Sequence, residues 1–146
     1  MQIRLAQSND YQQLIDLLRQ LNPDDPPATE IEPGVFEEIL ASPNLQLIVA
    51  EDNNRLLGTC YLNLIPNMTR GGRPYALIEN VVTDSGYRNR GIGKALLNHA
   101  VELSWQANCY KVMLMSGRTN DAVHAFYRSC GFDPDAKQAY IQRAPA

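Results

Sequence analysis

Three cationic side chains and two glycines occur within seven residues of the sequence: Arg88, Arg90, Gly91, Gly93 and Lys94. Two glycines separated by one residue let a ligand approach the backbone, because no Cβ stands in the way. A helix that begins here would add unpaired N–H groups and the positive end of its dipole. Together these features predict a diphosphate-binding site. For the charges alone, a solvated basic patch is the simpler interpretation.

Two common phosphate-binding loops do not fit this segment. Gly86 and Gly91 have the separation of a Walker A loop, but Ile92-Gly93 follows where a lysine and a hydroxyl residue are required. A dinucleotide-binding fingerprint needs a small residue at the position of Leu96 and an acidic residue after the next strand. Leu96 is bulky, and the next strand is followed by residues 115–117, which contain no acid.

Apolar periodicity and turn residues predict the elements that position this segment. The predicted elements are a strand Ile3–Ala6, a helix capped by Ser8 or Asn9, a helix from about Pro33 to Ala41, strands Leu45–Glu51, Arg55–Ile65 and Tyr75–Thr83, a helix from about Arg90 to Ala107, a strand Lys111–Met115, a helix Asn120–Cys130, and a last strand with Tyr140 and Ile141. This order predicts an α/β (α+β) fold, with a mixed, mostly antiparallel sheet of about six or seven strands flanked by four helices.

The bulk composition is that of an ordinary globular protein. The chain has 146 residues, 45% of them hydrophobic and 20% charged, which predicts one domain over residues 1–146. A formal charge of -3 argues against a nucleic-acid-binding protein. No secretory signal or membrane-spanning run is visible. The three cysteines form neither a disulfide framework nor a zinc pattern, so we expect them reduced and buried in a cytoplasmic protein without a metal.

The string from Ile78 to Leu97 resembles the acetyl-CoA-binding core of the GNAT superfamily of N-acetyltransferases. The signature of that family is Arg/Gln-x-x-Gly-x-Gly/Ala, and Arg88, Gly91 and Gly93 fill it. Residues 120–132 resemble the family's helix that carries an asparagine and a tyrosine and ends at Gly-Phe. Together with the strand order, the two segments extend the resemblance over nearly the whole chain.

The resemblance implies acetyl-CoA as co-substrate and no metal. In this family the fourth strand separates from the fifth, and the pantetheine arm lies in the gap against the backbone of the fourth. The residues that the resemblance assigns to the cofactor are Val81, Val82, Thr83, Arg88, Asn89, Arg90, Gly91, Ile92, Gly93, Lys94, Asn120 and Tyr127. Val81 and Val82 can also be core residues of the strand, since the cofactor contact uses backbone atoms.

Two side chains are candidates for the proton transfers of acetyl transfer. By resemblance, Tyr127 would protonate the departing sulfur of coenzyme A; the alternative is a core tyrosine. Glu79 could take the proton of the amine, because alternation places it with Leu77 and Val81 on an apolar face. The alternative for Glu79 is an ion pair with an arginine.

The acceptor is less well specified. In this fold it depends on three loops, here residues 21–34, 66–74 and 116–119, whose Arg70, Arg73 and Arg118 could orient an anionic group or be solvated charges. Residues 79–82 and 109–114 look like those of glucosamine-phosphate N-acetyltransferases, whereas residues 115–118 depart from them.

The predicted function is therefore transfer of acetyl from acetyl-CoA to a primary amine of a small molecule, by direct attack in a ternary complex. The alternatives are a non-catalytic acyl-CoA-binding sensor and a protein N-acetyltransferase. Small members of the family are often homodimers, so the resemblance implies that this protein could also form a homodimer.

Overall fold

A computed structural model describes residues 1–118 and 120–146 of the chain. Its elements are β1 (Gln2–Leu5), α1 (Tyr11–Leu21), α2 (Ile31–Ala41), β2 (Leu45–Asp52), β3 (Arg55–Ile65), β4 (Tyr75–Thr83), α3 (Ile92–Gln106), β5 (Val112–Leu114) and α4 (Asp121–Ser129). Short 3-10 helices cover Ser8–Asp10, Arg70–Gly72 and Ser85–Tyr87. The predicted element order is confirmed up to α4.

The strands form one sheet in the order β1-β2-β3-β4-β5. All neighbours are antiparallel except β4 and β5, which are parallel and are joined through α3. The prediction of six or seven strands is wrong, because the sheet of the described residues has five. Tyr140 and Ile141 form no strand and are 90% and 72% exposed. A short alternating run does not hold a strand conformation without a hydrogen-bonded partner.

Helices pack on both faces of this sheet. One face carries α1 and α2, whose Leu14, Leu17 and Phe36 pack with Val49 of β2 and Val82 of β4 in one cluster. The opposite face carries α3, which packs on β3 and β4. The alternation of strand side chains therefore provides two cores, one on each side of the strands that lead to the predicted phosphate site.

The first helix begins at a hydrogen-bonded acidic residue. Ser8 and Asn9, the predicted caps, lie inside a 3-10 turn, and Asp10 accepts a hydrogen bond of 2.7 Å from Gln7 N. Asp10 is only 4% exposed, and Arg4 donates to both of its carboxylate oxygens at 2.7 and 3.0 Å. Because Arg4 also donates to Glu51 of β2 at 2.7 Å, this network joins β1, α1 and β2.

Two of the three cysteines are buried as expected, Cys60 and Cys109. Burial raises the pKa of the Cys60 thiol to about 12, so it stays protonated. Cys130 is half-buried, which differs from the prediction.

The described residues cluster into two compact units, Met1–Leu114 and Met115–Ala146. A single domain over residues 1–146 stays a prediction. No described helix is both long and apolar enough to span a membrane.

Candidate active site

The chain passes from β4 to α3 through a turn that Asp84 organises. The Asp84 carboxylate accepts a hydrogen bond of 2.9 Å from Gly86 N, and its backbone carbonyl accepts one of 2.9 Å from Tyr87 N. Asp84 N donates to the carbonyl of Leu57 in β3 at 2.8 Å. The first two bonds close the turn, and the third joins the turn to the sheet.

The start of α3 presents backbone donors without helical partners. Gly91 precedes the helix with φ 79° and ψ 6°, the left-handed conformation that glycine adopts without strain. The first helical bond runs from Ala95 N to Gly91 O at 3.0 Å. Among the described residues, no backbone carbonyl accepts from the N–H groups of Ile92, Gly93 and Lys94. Free N–H groups and the positive end of a helix dipole suit an anion, so the diphosphate site at this helix start stays a prediction.

Cationic side chains surround this helix start. Arg88, Asn89, Arg90 and Lys94 are all exposed, and Asn89 has the left-handed φ of 61°. The Arg90 guanidinium lies 5.0 Å from the centre of the Tyr87 ring, which limits where it points. None of the three cations forms an ion pair within residues 1–118 and 120–146. They are therefore available to an anionic ligand.

The second half of β4 has a partner on one side. Ala76, Leu77 and Ile78 pair with β5, which ends at Leu114. Residues 79–83 extend beyond that pairing, although they remain paired to β3 on the other side. Their backbone edge, with Val81 and Thr83, is therefore open in the first unit. The family resemblance places the pantetheine arm along this part of the fourth strand, and that placement stays a prediction.

A bulge interrupts β4 at the candidate base. Thr59 and Tyr61 of β3 face Val82 and Glu79, so β4 carries one extra residue between them. Asn80 lies at this bulge and has a left-handed φ of 52°. The alternation that predicts a common face for Glu79 and Val81 is therefore wrong, because an extra residue shifts every later side chain to the other face.

Glu79 itself is half-buried. Among the described residues, it forms no ion pair and its carboxylate accepts no hydrogen bond. The interpretation of Glu79 as the partner of an arginine thus finds no support in the part of the chain that the structure describes. Its role as the base that takes the amine proton stays a prediction.

The second unit contains the other two predicted residues. Asn120 caps α4, since its side-chain oxygen accepts a hydrogen bond of 2.9 Å from Val123 N. The helix ends at Ser129, one residue before the predicted end, and Gly131 follows with a left-handed φ of 89°. Phe132 N donates to the carbonyl of Tyr127 at 3.1 Å, which closes the last turn.

The Tyr127 phenol is held in an aromatic environment. Its ring lies 5.1 Å from that of Phe126 and 6.5 Å from that of Phe132, measured between ring centres. Burial raises the pKa of the Tyr127 hydroxyl above its ordinary value, an effect that the charge of Arg118 partly opposes. The hydroxyl therefore stays protonated at neutral pH, the state that a proton donor requires.

The three arginines considered for the acceptor differ in their surroundings. Arg73 donates to the backbone carbonyls of Asn108 and Cys109 at 3.2 and 3.1 Å, so it fastens its loop to the entry of β5. Arg70 lies 5.4 Å from the centre of the Tyr110 ring. Arg118 is exposed in the second unit and precedes Thr119, which lies outside the described residues.

Sequence patterns did not identify two side chains that contact the turn. Arg55 donates to the Asp84 carboxylate at 3.4 Å, and Gln20 contacts both Asp84 and Ser85. Neither belongs to a motif, and both lie in elements distant from the turn along the chain. The one available signal was in α1, where a polar residue recurs on the face whose Leu14 and Leu17 pack in the core.

Comparison with known proteins places this geometry in a family. The model of the acetyltransferase (GNAT) family matches residues 11–132. A glucosamine 6-phosphate N-acetyltransferase of Trypanosoma brucei brucei is 30% identical over 140 residues, 94% of this chain and 92% of that protein.

Solved structures agree with this match. A candidate acetyltransferase from Agrobacterium tumefaciens str. C58 superposes with a TM-score of 0.92 at 44% identity, over 98% of this chain and 100% of that one. Glucosamine-6-phosphate N-acetyltransferase from Arabidopsis thaliana gives 0.83 at 25% identity, over 97% of both chains. The chain belongs to the GNAT family of N-acetyltransferases, enzymes that use acetyl-CoA as the acetyl donor.

Proposed function

We propose that this enzyme transfers the acetyl group of acetyl-CoA to a primary amine of a small molecule, by direct attack within a ternary complex. One observation carries the proposal: the open edge of β4 leads, through the turn of residues 84–91, to a helix start whose first three N–H groups have no backbone acceptor among the described residues. A thioester lying along that edge would have its diphosphate at the helix start. The cofactor then needs no metal, because the backbone and cations supply the positive charge.

The contacts with acetyl-CoA follow from this arrangement. The backbone of Val81, Val82 and Thr83 has the hydrogen-bonding edge that a pantetheine amide requires. The N–H groups from Asn89 to Lys94 would donate hydrogen bonds to the diphosphate oxygens, and Arg88 and Arg90 would neutralise part of its charge. In the second unit, Asn120 uses its oxygen for the helix cap and keeps its amide donors for a carbonyl of the cofactor.

The chemistry needs a neutral amine, an electrophilic thioester carbonyl and a proton for the sulfur. The amine nitrogen attacks the carbonyl carbon, and the C–S bond of the tetrahedral intermediate then breaks. We assign removal of the amine proton to Glu79, directly or through a water, and protonation of the thiolate to Tyr127. Because the pKa of the Tyr127 hydroxyl is raised, the phenol keeps its proton at neutral pH and has it available when the thiolate leaves.

The Tyr127 assignment is tested by Tyr127→Phe. We expect turnover to fall roughly a hundredfold, the usual contribution of a positioned acid, while acetyl-CoA affinity stays within about twofold. Tyr140→Phe is the matched control, because Tyr140 is 90% exposed and should leave both quantities unchanged. Equal turnover in Tyr127→Phe and the wild type would remove Tyr127 from the mechanism.

The acceptor is tested by release of free thiol from acetyl-CoA across a panel of amines. The names of the T. brucei and A. thaliana relatives make glucosamine 6-phosphate the first member. Unphosphorylated glucosamine, an aminophosphonate and free amino acids complete the panel, because residues 115–118 depart from the glucosamine-phosphate enzymes. Preference for the phosphorylated sugar would support an anionic acceptor. Binding of acetyl-CoA without turnover on any amine would instead favour an acyl-CoA sensor.

A further inference from the structure

Gln20, in the last turn of α1, is hydrogen-bonded to the turn between β4 and α3. We call this turn, residues 84–91, the cofactor turn. Ser85 N donates to the Gln20 side-chain oxygen at 2.8 Å, and the Gln20 amide nitrogen donates to the Asp84 carboxylate at 3.3 Å. Gln20 therefore uses both ends of its amide on two consecutive residues of the turn. It is half-buried, so water competes only partly for these bonds.

Asp84 collects the bonds that orient the turn. One carboxylate oxygen accepts from Gly86 N at 2.9 Å, and the other accepts from Gln20 and from Arg55 at 3.3 and 3.4 Å. The hydrogen bond from Gly86 N is the main reason that the pKa of Asp84 is lowered, with smaller contributions from Gln20 and Arg55. Asp84 therefore stays ionised and keeps accepting all three bonds at neutral pH.

The same helix makes an equivalent contact elsewhere, through Gln13. Its side-chain oxygen accepts from Leu56 N at 2.9 Å, and its amide nitrogen donates to Asn54 O at 3.2 Å. Gln13 and Gln20 are seven residues apart and hence on one face of α1. We call each pair of side-chain hydrogen bonds a clamp: the Gln13 clamp holds the β2–β3 hairpin, and the Gln20 clamp holds the cofactor turn. The chain thus contains an internal control for the second clamp.

We propose that Gln20 is a positioning residue for acetyl-CoA: it holds the turn after β4 in its binding conformation and links that turn to the end of α1. The inference rests on the proposed function of the turn. Gln20 contacts no donor of the diphosphate site itself; it acts through Ser85 and Asp84. A turn held in advance loses less conformational freedom when the cofactor binds, which raises affinity.

The link has a consequence for the neighbouring loop. α1 ends at Leu21, and the chain enters the segment 22–30 directly. That segment belongs to the first of the three loops that the family resemblance associates with acceptor choice. Because binding and local stability are linked, acetyl-CoA on the turn stabilises the hydrogen bonds at the end of α1, such as the one from Asn22 N to Leu18 O.

The test compares Gln20→Met with Gln13→Met, which both remove two hydrogen bonds from the same face of α1. Titration calorimetry with acetyl-CoA should show affinity about five- to twentyfold weaker in Gln20→Met and within about twofold of wild type in Gln13→Met. Hydrogen exchange should show that acetyl-CoA protects the amides of residues 18–22 in wild type and in Gln13→Met. That protection should be lost in Gln20→Met.

Each outcome decides a separate point. Wild-type affinity in Gln20→Met, or an equal loss in Gln13→Met, would overturn the positioning role. Absence of acetyl-CoA binding by the wild-type protein would overturn the proposed function itself. Asp84→Asn provides a second variant, because its amide nitrogen faces the donors of Gln20 and Arg55 while its oxygen still accepts from Gly86 N. We expect the same loss of affinity, and wild-type affinity in this variant would also count against the proposal.

Discussion

Replacement of Gly58 by alanine tests how closely β3 and α3 pack against β4. We call β4 the cofactor strand, because it is the strand proposed to bind acetyl-CoA. Gly58 lies in β3 opposite Thr83 of β4. A Cβ at this position would lie 2.9 Å from the carbonyl oxygen of Val82, 3.1 Å from Leu96 Cδ1 and 3.2 Å from Ile92 Cγ2. All three neighbours belong to the elements that carry the candidate site.

The size of the effect follows from which atoms can move. Leu96 and Ile92 can each shift a side chain slightly, but the Val82 oxygen is part of the sheet backbone. Inserting a carbon into a packed interior typically costs about 1–3 kcal/mol. With one of three close contacts against backbone, we expect the upper half of that range, roughly 2–3 kcal/mol. The displacement of Val82 should also weaken acetyl-CoA binding.

Gly34→Ala provides the matched control. Gly34 is exposed in α2, and a Cβ there would meet no atom within 4 Å. Alanine in place of glycine inside a helix stabilises it by roughly 0.5–1 kcal/mol. The same chemical change should therefore lower the free energy of unfolding at residue 58 and raise it at residue 34.

Urea denaturation monitored by circular dichroism measures both changes, and calorimetry measures acetyl-CoA affinity. A Gly58→Ala protein as stable as wild type would refute the close packing of β3 against β4 and α3. A destabilised protein with unchanged affinity would refute the claim that Val82 helps to define the cofactor strand.

Two further predictions concern elements outside the cofactor turn. The pKa of Asp10 is lowered, mainly by its hydrogen bonds with Arg4, so its contribution to stability is complete above about pH 4 and is lost as pH falls through the lowered pKa. Asp10→Asn should cost roughly 2–3 kcal/mol at pH 7, and denaturation curves should show that difference shrinking below pH 4; a constant difference would contradict it. Asn120→Ala should cost about 1 kcal/mol of helix stability, seen as faster hydrogen exchange in α4, whereas Asn120→Asp should retain the cap.

Local features of the structure were predictable from the sequence because they depend on neighbouring residues. Asn53 and Asn54, between the two predicted strands Leu45–Glu51 and Arg55–Ile65, form a turn with φ of 50° and 63°, a conformation that asparagine tolerates. Gly131 has the left-handed φ expected of a glycine after a helix end. Asn120, at the start of the predicted helix, caps α4. In each case the residue type determines the backbone angle or the hydrogen bond within a few positions.

The tertiary structure decided what depends on distant residues. The bulge at Asn80 arises from the register of β4 against β3, which no period-two pattern in β4 alone reports. The last predicted strand, with Tyr140 and Ile141, has the right alternation but no hydrogen-bonded partner among the described residues.

The sequence by itself thus predicted an anion site at the start of α3, and the family resemblance implied the cofactor. Only the tertiary structure brought Gln20 to that site, from 65 residues away along the chain. Local patterns encode backbone angles and caps, whereas a contact between distant residues exists only after the sheet and helices have packed. The residue types of the turn can therefore be read from consecutive residues of the sequence, whereas the hydrogen bonds that hold the turn to α1 depend on the tertiary fold.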